Sequence, residues 1–401
     1  MPAGSRWTCL TLVTAAHGLG AFSVLAVAPL SPFLLDALGL SRAQIGLLFP
    51  AIYLGGVLTS LPAGWLTDRL GVRLTLTLGQ TVTGAAMALA AFMAGFPALL
   101  APLFLAGVGW SVVNPTTGKA IVEWFPPRER GLAMGVKQTG LTLGGIANAL
   151  LLPPLALRLG WSPALAVAAG ASLLSAALVG ATYRSAPTRA EAPSSERPRL
   201  AEIRPFLLRP GLLGLFACGL TLSVVQSSLV AYFVLYAKEV FRVSVVEAGQ
   251  LFALVQAGGT GARLAWGIVS DRFFAGQRHP GLIVTALIGA GVSVTFALGG
   301  PALAPLAALL AIIAGAGVFG WVGLHLALVA EIGGARYAGL LTGVAVAFAW
   351  SGVLVGPPIF GLVLDATGSY RLPWLILGAT ALLSALALSR LRPLVQRGRG
   401  L

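Results

Sequence analysis

Long apolar runs recur along this chain, and no other feature restricts its fold as strongly. A helix that crosses the hydrocarbon core of a bilayer needs about 20 consecutive apolar residues. By that ruler the chain divides into twelve runs, approximately 8–35, 44–66, 74–94, 98–122, 131–157, 162–183, 211–237, 246–269, 281–299, 303–328, 338–364 and 372–389, numbered here as spans 1 to 12. Composition agrees. The 401 residues are 57% apolar and 9% charged, with a mean hydropathy of +0.90, whereas a soluble domain carries about a quarter charged residues. Twelve acidic and 26 basic residues cannot clothe a water-soluble particle of this size. These numbers exclude a cytosolic enzyme, a disordered chain and a disulfide-stapled secreted module. The fold class expected is an all-α polytopic membrane protein with twelve transmembrane helices.

Most connections between spans are short, such as Gly95-Phe96-Pro97. The exception is 184–209, which holds six Arg, three Glu and four Pro and reads as a polar linker. The organisation expected is an N-terminal six-helix half over 1–183, a cytoplasmic linker over 184–209 and a C-terminal six-helix half over 210–401. Span 1 follows Arg6 and has Ala26-Val27-Ala28 in the place of a cleavage site, but it is too long for a signal peptide's apolar region and reads as a retained helix.

The net charge of +14 is a matter of position. With the N-terminus inside, cytoplasmic segments, counting Lys119 at the cytoplasmic end of span 4, hold 19 Lys/Arg and external ones five (Arg42, Arg158, Lys238, Arg242 and Arg371), leaving two deeper within spans. That asymmetry places both termini in the cytoplasm and makes the basic surplus a topology signal, with no nucleic-acid partner. Cys9 and Cys218 stand inside apolar runs without metal-ligand spacing and read as small buried side chains, so no metal site and no cofactor is expected.

The two halves repeat one another. Gly107, Gly109, Glu123, Gly131, Gly135, Gly144 and Gly160 recur 208 residues later as Gly315, Gly317, Glu331, Gly339, Gly343, Gly352 and Gly368. Gly64, Asp68 and Arg69 recur 203 residues later as Gly267, Asp271 and Arg272. Two six-helix halves related by an axis along the membrane normal form a transporter architecture, with substrate held near the midplane.

The stretch Gly64-Trp65-Leu66-Thr67-Asp68-Arg69-Leu70-Gly71-Val72-Arg73 after span 2 resembles the loop signature of the major facilitator superfamily, and Gly267-Ile268-Val269-Ser270-Asp271-Arg272 after span 8 is similar to its second-half copy. The resemblance covers essentially the whole chain. It implies that Asp68 and Asp271 lie near the start of a helix in the opposite half, where a carboxylate meets the helix dipole, with Arg69 and Arg272 joining a cytoplasmic gate. Simple charge anchoring of the loop at the interface is the plainer alternative.

A charge inside the membrane is costly and marks function by default. Two spans carry one: Lys137, about seven residues into span 5, and Arg263, eight residues before Asp271 in span 8. At 1.5 Å per residue both lie roughly 10–12 Å from the cytoplasmic boundary. Lys137 maps onto Ala345 and Arg263 back onto Ser60, so neither belongs to the repeated scaffold. All twelve Asp/Glu fall in loops or at helix ends. The resemblance implies that spans 5 and 8 line one central cavity, and two cations facing it call for an anion: Arg263 as a planar fork, Lys137 as a movable point charge. Snorkelling or bonding to backbone carbonyls is the alternative.

Gly261-Ala262-Arg263…Gly267…Asp271 resembles span 8 of bacterial oxalate and monocarboxylate carriers, where the arginine contacts a substrate carboxylate, and Arg130–Gly140 resembles cyanate- and organic-anion-type permeases. Here span 11 lacks the second cation of the oxalate carriers, and no Asp stands near Arg263 as in proton-linked monocarboxylate carriers. His17, Tyr53, Asn114, Gln138, Asn148, Gln226 and Gln256 are further candidate substrate contacts, each equally able to serve as a polar bond between helices. His17 can bond substrate or carry a proton, and His325, late in span 10, falls nearer the cytoplasmic mouth. The expected protein is a monomeric, multi-pass transporter of the bacterial cytoplasmic membrane, surrounded by lipid, that moves a small organic anion by alternating access and is not an enzyme. No Walker-type phosphate loop is present to use ATP. Anion exchange, uniport and symport with a proton all fit, as does a rival reading as an exporter of neutral or amphipathic compounds.

Overall fold

The computed structural model describes residues 5–186, 210–274 and 277–391. The expected linker lies outside the described residues beyond Ala186. Each of the twelve runs lies in helix. Among the described residues nine helical segments are long and apolar enough to cross a membrane; one of them, Arg278–Gly334, holds spans 9 and 10 together, and spans 3 and 8 are not among the nine. Spans 2 and 3 share the helix Arg42–Ala90, turned at Gly71, where φ is +77°. Spans 10 and 11 share Ala307–Thr367, turned at Gly334, where φ is +57°. Positive φ at both places favours a residue without a Cβ.

Proline sets the breaks inside two spans. Span 1 is interrupted between Arg6–Val24 and Val27–Leu38, and span 4 between Phe96–Trp110 and Val113–Trp124. Pro29 and Pro115 stand four residues after Leu25 and Ser111 and cannot donate to those carbonyls, so each helix loses a rung there.

The chain divides into two compact units, Met1–Pro193 with Ser244–Ala253, and Ser194–Val243 with Leu254–Leu401. In the first, Cys9, Leu10, Val13 and Ala16 of span 1 pack with Val72, Leu76, Val113, Ile121 and Val179. In the second, Leu212, Leu215, Phe216 and Leu222 of span 7 pack with Leu282, Trp321, Leu324 and Leu328, and a nest of Tyr232, Tyr236, Phe296, Phe360 and Trp374 lies further along the same span. Large apolar side chains such as Phe92, Leu143, Leu173 and Leu383 point outwards, as suits a protein whose solvent is lipid.

The repeat extends to backbone contacts. A Cβ on Gly107 would land on the Ile52 carbonyl, and one on Gly315 on the Val255 carbonyl. A Cβ on Gly144 would meet the Gly18 carbonyl and Phe22 amide, and one on Gly352 the Leu220 carbonyl and Val224 amide. Ile52 and Val255 stand 203 residues apart, Gly18 and Leu220 202 apart, so the same helices touch at the same residues in each unit. Close approach through glycine is how helices associate in lipid, where apolar burial offers no drive.

Gly107→Val therefore drives a side chain into a fixed carbonyl and should destabilise the protein by about 1–3 kcal/mol or more, whereas Gly135→Ala, with nothing within 4 Å of the added Cβ, should be tolerated. Thermal unfolding in detergent distinguishes them; equal melting temperatures would contradict the contact.

Candidate functional site

In the N-terminal unit the polar groups gather around span 1. Gly18, Gly140 and Gly144 bring spans 1 and 5 into backbone contact, which carries the polar residues of span 5 against that helix. Lys137 is only 4% exposed, and its Nζ donates to Asn114 Oδ1 at 2.9 Å. Asn114 itself stays exposed, so the pair is open on one side. The cation thus meets a neutral acceptor, and no carboxylate among the described residues reaches it. Asn148, fully buried, donates to the Phe22 carbonyl at 3.4 Å, and its Oδ1 has no partner. Gly144 and Asn148 both face span 1. Tyr53 and Gln138 are half-buried.

His17 is wholly enclosed, with neither ring nitrogen hydrogen-bonded. Its ring packs on Trp110 of span 4, centroids 5.5 Å apart and planes at 59°. Gln80 of span 3 donates from Nε2 to the Ala16 carbonyl at 2.8 Å, leaving its Oε1 unpartnered. Gly20 makes the room: a Cβ there would strike both the Gln80 amide and the Trp110 ring.

In the C-terminal unit Arg263 is half-buried. Its Nε lies 3.5 Å from the Phe319 carbonyl, a long contact, and its guanidinium sits 5.8 Å from the centroid of the Phe319 ring. An aromatic face holds a cation in low dielectric without neutralising it. Gln226 accepts from Trp321 Nε1 at 3.0 Å, a bond between spans 7 and 10. Gln256 is buried. His325 is 1% exposed, its Nε2 3.0 Å from the Leu215 carbonyl and its ring edge-on to Trp321.

The loop carboxylates are held within their own units. Asp68 accepts from Lys119 of span 4 at 2.9 Å, and Lys119 also donates to the Thr67 carbonyl at 3.2 Å. Asp271 accepts from Arg278 at 2.6 Å, which also meets Glu331 at 3.1 Å. Arg69 lies over the Trp65 ring, 4.3 Å from its centroid. These ion pairs are partly exposed, and each is worth at most about 1 kcal/mol.

Reading the sequence alone passes over Trp110, Gln80, Lys119, Arg278 and Phe319. Gln80 carried a signal, a polar residue in the middle of an apolar run, and Lys119 another, as one of three lysines against 23 arginines. Trp110 and Asn114 flank the break in span 4, one meeting His17 and the other Lys137.

Comparison with known proteins follows the same lines. The family model described as Major Facilitator Superfamily matches residues 10–357. The hexuronate transporter of Bacillus subtilis is 25% identical over 394 residues, 92% of this chain and 91% of that protein. A probable sulfoacetate transporter of Cupriavidus necator is 25% identical over 389 residues, 91% of this chain and 89% of that protein. Among solved structures, a bacterial homolog of the human lysosomal transporter Spinster superposes with a TM-score of 0.80 at 17% identity, covering 99% of this chain and 97% of that one.

Asn114→Leu should lower the melting temperature by leaving the Lys137 ammonium enclosed without its acceptor, at a cost of about 1–3 kcal/mol. Asn114→Leu combined with Lys137→Met should recover most of that loss. A double variant no more stable than the single one would show that the two groups do not act as a pair.

Proposed function

Since the chain belongs to the major facilitator superfamily, we propose that it transports a small organic anion bearing a carboxylate or comparable oxyanion across the cytoplasmic membrane of a bacterium, with Lys137 and Arg263 as the groups that bind it. The observation that carries this reading is the pairing of both membrane cations with neutral partners: Asn114 for Lys137, and the Phe319 ring and carbonyl for Arg263. Each positive charge is oriented yet unneutralised. An incoming anion supplies the compensation that no resident carboxylate does. That two relatives of similar length carry names for hexuronate and sulfoacetate, both anions, supports the same class.

Within this proposal each half rocks about the bound anion, and both termini face the cytoplasm, following the distribution of Lys and Arg. Asp68–Lys119 and Asp271–Arg278–Glu331 brace the loops after spans 2 and 8 as the halves move. Arg263 grips the oxyanion through its fork, while Lys137, on a flexible stem anchored by Asn114, follows it. Asn114, Gln138 and Tyr53 offer hydrogen bonds to the remainder of the substrate. The scarcity of acid inside the spans tells against export of cations.

Counterflow in proteoliposomes tests the reading. Preloaded vesicles should accumulate labelled substrate from a panel of hexuronates, sulfonates and monocarboxylates. Arg263→Ala should abolish that uptake while the protein still reaches the membrane, and Asn114→Asp should abolish it too, since a resident carboxylate on Lys137 would take the anion's place. Unchanged transport by Arg263→Ala removes it from the site, and stabilisation by neutral amphiphiles with none by carboxylates overturns the anion class.

A further inference from the structure

Among the titratable residues described in the N-terminal unit, His17 is the one that is 0% exposed. It is fully buried, both ring nitrogens lack a hydrogen-bond partner, and the space it fills is built for it by spans 1, 3 and 4. A buried polar group without a partner costs free energy and calls for an explanation. Packing alone would be served as well by a phenylalanine or leucine. Ordinary structural use of histidine looks like His325, whose Nε2 meets a backbone carbonyl at 3.0 Å.

The elements packed against span 1 narrow what His17 can do. Spans 2, 3 and 6 present no charged side chain to it; Gln80 of span 3 brings only its amide. Span 4 brings Trp110 against the ring, and its lysine, Lys119, is engaged by Asp68 at the far end of that span. On span 1 itself Arg6 is paired with Glu129 at 2.9 Å, and Cys9 lies two turns away. Span 5 supplies Lys137, three residues before Gly140, whose backbone meets that of Gly18 next to His17. Trp110 ends the first helix of span 4 and Asn114 stands near the start of the second, so the imidazole and the ammonium are met from the two sides of one break.

We propose that His17 is the proton-carrying group of the transport cycle, taking up one proton together with the anion bound at Lys137. The inference rests on the anion-transport reading and adds its coupling. Two cations side by side in a low-dielectric interior repel one another, and an anion at Lys137 offsets that repulsion. The anion favours an imidazolium at His17 and the imidazolium favours the anion, by the reciprocity that links any two ligands. In the cycle one imidazole nitrogen of His17 takes a proton on the loading side, the ion pair crosses, and the same nitrogen releases the proton on the other side as the anion leaves. Lys137 keeps its charge throughout. One proton moves with one monovalent anion, so no net charge crosses. His17 maps onto Gly219, 202 residues later, so the device belongs to one half alone.

The test uses the full-length protein in proteoliposomes, read in two modes with the substrate found by the anion panel. Counterflow exchanges one loaded carrier for another with no net proton movement and needs no proton gradient; accumulation against a gradient of anion does. Wild-type protein should do both, with lumenal acidification reported by an entrapped pH dye as the anion enters. His17→Gln should keep counterflow and lose gradient-driven accumulation about tenfold or more, within the usual range of a coupling between two ligands. No counterflow of any anion by the wild type removes the transport reading and this inference with it. Counterflow without a response to the gradient overturns the inference alone, as does a His17→Gln protein that still accumulates substrate. Loss of counterflow as well, in both His17→Gln and His17→Asn, would make His17 a packing residue and equally overturn it.

Discussion

Span 5 can lie on span 1 only because no side chain stands between Gly144 and the Gly18 carbonyl. The other polar contacts of the N-terminal unit follow from that approach. It brings Asn148 to the Phe22 carbonyl and sets the span bearing Lys137 beside the one bearing His17. In lipid the gain from burying apolar surface against another helix is small, and dispersion between closely packed backbones takes its place. Span 11 meets span 7 by the same means at Gly352.

On that scaffold the protein handles charge economically. Among the described residues lysine and arginine near the cytoplasmic loops hold Asp68 and Asp271 in short ion pairs. Two cations are admitted to the spans, and both are steadied by groups that leave the charge in place, an amide oxygen in one case and an aromatic ring in the other. A resident carboxylate would hold each more firmly, but it would also have to be displaced every time an anion bound.

The architecture was legible in the sequence because lipid imposes a ruler. The twelve apolar runs, the glycine repeat and the family likeness each come from patterns with a physical period, and helix, repeat and family follow. The positions of Lys137 and Arg263 within those helices were legible too, since a charge stands out in an apolar run. What touches them was not. The Asn114–Lys137 bond spans 23 residues and the Arg263–Phe319 contact 56, and no periodicity along one helix specifies what an adjacent helix presents to it. His325 shows the same limit. The sequence places Trp321 one turn before it on the same helix, but not the Leu215 carbonyl of span 7 that its Nε2 meets. Pro29 and Pro115 could be read as helix-breaking residues, but their consequence, a missing rung beside Leu25 and Ser111, becomes visible only in the structure.

The symmetry between the halves has a cost in evolutionary freedom. The C-terminal counterpart of His17 is Gly219, and a Cβ at Gly219 would stand 2.7 Å from the His325 ring. A descendant gene cannot simply acquire at 219 the histidine its first half has at 17; it must first surrender His325, and with it the bond to Leu215. The order of substitutions is therefore constrained, and the two duplicated halves are historically committed to different imidazoles, one contributed by the first helix of its unit and the other by the fourth.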